Sequence, residues 1–267
     1  ALPISPKQIL IYKAMNAPLP VFGHVPMVLG PDRTRLSKRH GAMSVTAYRD
    51  MGYLPDALLN YLVRLGWSHG DQEFFTREEL IEKFTLNHLG RSAGIFDKEK
   101  LLALNADHIK AAPPEKLAPH LIPFLKERGC PAREDQFLHS VIRTLNSRSK
   151  TLVEMADAAL FYYAEEIEYD EKAAKKFLKP NVLEPLERLT EKLERLDEFS
   201  EKNLESAFMA VMEESGIKLG KIAQPVRVAL TGKTVSPGIF EIIEVLGKPP
   251  VIDRLKAAIA FIRTRQD

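Results

Sequence analysis

The spacing of apolar positions changes character along this chain. Gln8 to Met15 reads as an amphipathic helical segment. Val21-Phe22-Gly23-His24-Val25-Pro26-Met27-Val28-Leu29-Gly30 then reads as a buried strand, since β-branched and apolar residues run together until Gly30 punctuates them. A basic loop follows from Pro31 to Gly41, and from Thr46 onward the pattern is helical almost to the end. Pro55 to Leu65 opens on proline, repeats leucine at helical spacing and stops at Gly66, which predicts a helix. Thr76 with Glu79 three residues on predicts a capping box, in which hydroxyl and carboxylate each satisfy an orphan backbone donor; it opens a helix through Phe84.

Ala111-Ala112-Pro113-Pro114 is the best linker candidate, and Glu115 to Arg128 restarts a helix, so a domain boundary is expected there. Val182, Leu186, Leu189, Leu193 and Leu196 share one helix face backed by Glu and Lys, which marks them as core. No internal repeat interrupts the chain. The fold class expected is mainly α: the remnant of an α/β sheet followed by helical domains.

Composition narrows the function classes. With 45% hydrophobic residues the 267-residue chain can bury a core, and no stretch approaches the ~18 apolar residues of a membrane helix. No charged start with an apolar run suggests a signal peptide, so a cytoplasmic protein is expected. Cys130 stands alone, which excludes an internal disulfide and a cysteine zinc site. The net charge of +2 does not announce a nucleic-acid binder, but its distribution is uneven. Between Glu214 and Glu241 the charged residues are Lys218, Lys221, Arg227 and Lys233, and between Asp135 and Glu154 they are Arg143, Arg148 and Lys150. Such acid-free stretches can track phosphates, although a solvated face is the commoner reading of either one taken alone.

The richest segment chemically is Arg35-Leu36-Ser37-Lys38-Arg39-His40-Gly41. Cations at this spacing around a hydroxyl can stabilise a polyphosphate as a phosphoryl–oxygen bond breaks, though a solvated loop has the same look. Following a strand with His24-Val25-Pro26, it resembles the second signature loop of class I aminoacyl-tRNA synthetases in its bacterial glutamyl form. Ser5 to Tyr12 resembles the helix before that loop, and Leu54 to Leu62 with Leu65-Gly66-Trp67-Ser68 the helix after it. The resemblance implies that Lys38 contacts ATP phosphates and is the catalytic residue. It implies that Ser37 and Arg39 shape the loop, and that backbone near Met27 and Val28 meets adenine. Arg35 stands in for the motif's first lysine and keeps its charge. His24 and His40 belong to this motif as shaping residues.

In the same family a His-x-Gly-His tetrapeptide helps activate ATP, and none occurs here; His69-Gly70 lies in the wrong place. The family's glutamate-binding residues also lie upstream of Ala1, and the chain begins without Met, as if entered in mid-fold. These 267 residues alone are therefore expected not to aminoacylate, because positioning contributes roughly 7–11 kcal/mol to such accelerations.

Gly216 to Gly232, then Ser236-Pro237-Gly238-Ile239-Phe240-Glu241 and Leu246-Gly247-Lys248, resemble the family's terminal anticodon-binding subdomain. The resemblance implies anticodon contact by Arg227 and Ser236, with Ile239 packing on an unstacked base. Taken alone, Arg227 reads equally as a surface cation near a helix end. Asn146 to Leu152 resembles the stretch where another anticodon base meets a cation. Arg148 and Lys150 both qualify, Arg148 being favoured because a guanidinium suits bidentate recognition. The four remaining histidines, His88, His108, His120 and His139, are scattered, so no metal ligand is expected.

By resemblance, residues 1–45 end a class I nucleotide-binding domain, 46–112 form a helical stem-contact domain, and 113–267 an all-helical anticodon-binding domain with subdomains near 113–172 and 173–267. The implied partners are tRNA(Glu), or tRNA(Gln) as well, with ATP, Mg²⁺ accompanying ATP, and glutamate in a monomeric full enzyme. No membrane partner is expected. Two readings stay open here: part of a longer enzyme, or a free-standing tRNA-binding protein that kept these domains.

Overall fold

Helices carry nearly all regular structure in the computed structural model, which describes residues 5–23, 25–37, 44–90 and 92–265. The first elements are α1 (Ser5–Ala14), β1 (Val28–Leu29), α2 (Val45–Asp50), α3 (Pro55–Arg64), α4 (Arg77–Lys83), β2 (Gly94–Ile95) and α5 (Lys98–Ala111). They are followed by α6 (Pro114–Glu127), α7 (Gln136–Leu145), α8 (Leu152–Tyr163), α9 (Glu171–Phe177) and α10 (Leu183–Glu194). The chain ends with α11 (Glu201–Ser215), α12 (Leu219–Thr231), α13 (Ile239–Leu246) and α14 (Lys248–Arg263). Two compact units result, Ala1–Asn105 and Ala106–Asp267, dividing inside α5 and ahead of Pro113-Pro114. Among the described residues no helix is long and apolar enough to cross a membrane.

In the first unit, α3 begins where Pro55 presets the helical φ angle, and it buries Ala57, Leu58, Asn60 and Tyr61 on one face. Tyr48, Tyr53, Leu58, Tyr61, Phe96 and Leu101 form a core cluster, with the Tyr61 and Phe96 rings edge-to-face at 5.4 Å. Buried Asn60 accepts from the Phe75 amide at 2.9 Å and donates to the Glu73 carbonyl at 3.0 Å, pinning the loop before α4. The capping box at α4 is present in both halves: the Glu79 amide donates to Thr76 Oγ1 and the Thr76 amide to Glu79 Oε2. Gly94 must be glycine, since a Cβ there would sit 2.4 Å from the Leu65 carbonyl oxygen.

Two expectations for the N-terminal segment need correction. α1 forms, but none of its residues is buried, because Ile9, Leu10 and Ile11 are consecutive and spread around the helix instead of sharing a face. The expected strand from Val21 to Gly30 contracts to Val28–Leu29, paired in parallel with Gly94–Ile95. A strand extends only where a neighbour continues its ladder, and Pro26, lacking an N–H, interrupts the run. Val21 and Val25 are exposed, not buried.

The second unit is helix on helix. α6 packs on α7 and α8, and α10 packs on α11 and α14. Leu186, Leu189 and Leu193 of the expected stripe are fully covered, with Val182 and Leu196 partly covered at its ends. Asp135 caps α7 and Thr151 caps α8, each accepting an amide three residues on.

Candidate nucleic-acid interface

The loop after β1 is built on backbone bonds. The Gly30 amide donates to the Thr34 carbonyl at 2.8 Å, and the Leu36 amide donates to the Val28 carbonyl at 2.9 Å, folding residues 30–36 back on β1. Asp32 stiffens the turn by accepting from the Thr34 amide at 3.0 Å. Leu36 packs against the aromatic core, so Arg35 and Ser37 on either side of it are held at the rim, with Arg35 exposed. Met27 is exposed, whereas the Val28 carbonyl already accepts from Leu36. Lys38, Arg39, His24 and His40 lie outside the described residues.

The second candidate surface lies where α7 turns into α8. The Arg148 amide and the Ser149 hydroxyl both donate to the Leu145 carbonyl at 3.0 Å, closing a tight turn. Ser149 is buried while Arg148 and Lys150 are exposed, so the turn displays both cations at once. The Lys150 amide donates to Glu154 Oε2 at 2.8 Å, which fixes its backbone at the start of α8.

The third contribution comes from α12 and the segment before α13. Arg227 is half-buried, and its Nη1 donates both to Ser236 Oγ and to the Pro237 carbonyl, the latter at 2.6 Å. Both bonds use Nη1, so the loop does not occupy the Nε–Nη2 edge of the fork. Ser236 in turn donates to the Pro237 carbonyl at 3.0 Å, and the Gly238 amide donates to Glu241 Oε2 at 2.9 Å. Burial, then the charge of Arg148, holds the Arg227 guanidinium below its usual range. Arg148 and Arg227, 79 positions apart in sequence, thus come within electrostatic reach of one another.

Ile239, expected to pack on an unstacked base, is the first residue of α13 and 7% exposed, so most of its side chain lies within the helical core. Sequence reading passed over Gln224, one turn before Arg227 on the same face of α12. Its buried carboxamide oxygen has no hydrogen-bond partner among the described residues. A buried amide acceptor without a partner costs stability, which is tolerated where a ligand supplies the donor. Only the position three residues from Arg227 could have flagged it. Beside Ser236 a groove of about 490 Å³ is lined by Leu160, Phe161, Lys233, Val235 and Pro237.

Among the described residues, no cluster of three or more His, Cys, Asp or Glu is placed to hold a metal ion. Cys130 is buried, and burial pushes its thiol up, away from nucleophilic use.

Comparison with known proteins gives a consistent result. Residues 116–259 match the family model described as anticodon binding domain, and residues 3–103 match that of tRNA synthetases class I (E and Q), catalytic domain. Over 259 residues the chain is 62% identical to the glutamate–tRNA ligase of Desulfosudis oleivorans, covering 97% of this chain and 56% of that protein. The glutamate–tRNA ligase of Geobacter sulfurreducens is 55% identical over 258 residues, again 97% of this chain and 55% of the relative. A crystal structure of a glutamate tRNA ligase from Elizabethkingia meningosepticum, in complex with its amino acid, superposes with a TM-score of 0.81 at 27% identity. That match covers 98% of this chain and 55% of the other. The chain spans about half the length of the curated relatives it matches.

Proposed function

We infer the role of this chain from one premise: it belongs to the glutamate–tRNA ligases, and over more than half its length to the anticodon-binding-domain family. On that premise it supplies the tRNA-holding part of an enzyme that activates glutamate with ATP and transfers it to the 3′ end of tRNA(Glu). Residues 1–45 close one side of the ATP site, 46–112 contact the stem, and 113–267 hold the anticodon, with 113–172 and 173–267 reading different bases. The enzyme acts as a cytoplasmic monomer, and tRNA(Gln) is the alternative substrate that the anticodon contacts must accept or reject.

At the ATP end, Lys38 meets the phosphates and stabilises the charge that develops as pyrophosphate leaves. Arg35, held at the rim by its bridge to Leu29, and Arg39 add positive charge, Ser37 shapes the turn, and backbone near Met27 and Val28 borders adenine. Mg²⁺ arrives with the nucleotide, and no residue of this chain is assigned to it. Because the 267 residues contain no His-x-Gly-His tetrapeptide, they form no adenylate by themselves. The check is glutamate-dependent exchange of pyrophosphate into ATP, expected to be at the no-protein level; exchange above it would overturn the assignment.

The anticodon reading is carried by two displays of charge: the turn before α8 exposes Arg148 and Lys150, and Arg227 is held half-buried on the Ser236-Pro237 segment within electrostatic reach of Arg148. Two guanidiniums within electrostatic reach repel, and their repulsion is relieved by an anion or an electron-rich base edge near both. The test compares binding of tRNA transcripts that differ only in the anticodon, at two salt concentrations. Arg148→Ala and Arg227→Ala should each cost ~1–3 kcal/mol against the cognate anticodon. Lys221→Ala should weaken all transcripts alike and flatten the salt slope. Equal binding of all transcripts by the unaltered chain would sink the reading.

A further inference from the structure

We propose that Arg254 is a positioning residue for anticodon reading, a clamp that sets where Arg227 stands relative to Arg148. The proposal rests on the reading just given and goes beyond it, since Arg254 touches no nucleotide in it. Arg254 lies on α14 at 6% exposure, a charge that needs partners to be tolerated there. Its Nη1 donates to the Leu230 carbonyl at 2.9 Å and its Nη2 to the Ala164 carbonyl at 2.6 Å. Leu230 is three residues past Arg227 on α12, and Ala164 is the C-cap of α8, the helix that begins just after Arg148 and Lys150. One planar fork therefore ties the helix carrying one arginine to the end of the helix that follows the other.

The surroundings make this tie decisive. The connector from Ala164 to Asp170 runs between two open grooves, of about 740 Å³ and 490 Å³, and Ala164 lines both. In this connector the Tyr169 ring packs edge-on against Phe261 at 5.0 Å, and discrete bonds add to what that one ring contact can fix. The Asp170 amide adds one, to the Gly232 carbonyl at 2.9 Å. Gly232 permits it: its φ is +73°, and a Cβ would stand 2.1 Å from the Glu168 carbonyl oxygen. Arg254 is the only side chain in this junction that bonds both helices, among the described residues. Lysine could not replace it, because one ammonium does not present two parallel donors at fixed separation.

The test uses the full 267-residue chain with Arg254→Lys and Arg254→Gln. Three quantities are compared with the unaltered chain: thermal unfolding, affinity for a transcript with an altered anticodon, and the cognate-to-altered affinity ratio. The expected result is a folded Arg254→Lys variant that binds the altered transcript as before but loses about tenfold of discrimination. The coupling between Arg148→Ala and Arg227→Ala in a double-mutant cycle should fall with it. Retained discrimination in a folded variant overturns the proposal, as does a parallel loss for both transcripts. Failure of both variants to fold overturns it too, because Arg254 is then a core strut. Failure of the unaltered chain to discriminate condemns the anticodon reading instead, which keeps the two results separate.

Discussion

Residues 5–27 and the helices from α6 to α14 use the same apolar side chains and treat them in opposite ways. Val21 is 98% exposed, while Val141, Val211 and Val226 are at 0%. The difference is not in the residue but in what meets it. A valine on α7 or α11 sits where two or three helices bring their apolar stripes together, so each stripe is another's cover. A valine at position 21 lies in a segment that gains ladder bonds at just two residues. An apolar run states a demand for burial, and neighbours distant in sequence meet that demand or leave it open.

The comparison is broken most directly by truncating side chains on both sides of it. Phe208→Ala, in the core of α11, should destabilise the helical unit by ~3–5 kcal/mol, the usual cost of an aromatic-sized core deletion. Val21→Ala should change stability by no more than ~0.5 kcal/mol. Urea unfolding of each variant decides it, and equal effects would mean that the N-terminal segment is packed after all.

A smaller effect sharpens the picture inside the first unit, where local bonds stand in for deep packing. Thr76→Ala removes one half of the capping box and should cost about 1 kcal/mol, seen as a lower unfolding midpoint for the first unit with the second unchanged. A matched loss in both units would show that they unfold together.

The smallest effect is electrostatic. The Thr76 amide, then Lys83 and Gln72, hold the Glu79 carboxyl down at about 2 from its usual 4.5. A depressed carboxyl stabilises the fold above its unfolded value and loses that contribution as pH falls through the folded one. The first unit should therefore lose stability between about pH 4.5 and pH 2, and Glu79→Gln should flatten that limb of the curve. The Glu79 side chain is partly exposed, at 34%, so added salt should shrink the effect further. An unchanged acid limb in the variant would remove Glu79 as its source.

Legibility in the sequence followed how local the cause was. Pro55 at the first turn of α3 and the Thr76–Glu79 box depend on residues within four positions, and both stand as the sequence implies. The leucine stripe of α10 was equally plain, because helical periodicity encodes a face. Ile239 owed its expected role to family resemblance, and its 7% exposure at the first position of α13 depends on the helices packed around it. Gln224 was invisible because an unpartnered oxygen is a property of surroundings.

The sequence by itself determined where helices such as α3 and α4 start and which face of α10 is buried. Those are decided by short-range sterics, capping and periodicity. Only the tertiary structure decided that Arg148 and Arg227 come within electrostatic reach, that Arg254 bonds both α12 and the end of α8, and that Val21 and Val25 stay exposed. Each depends on which distant elements pack together, and the energy of that packing comes from complementarity between surfaces that no local window of sequence contains.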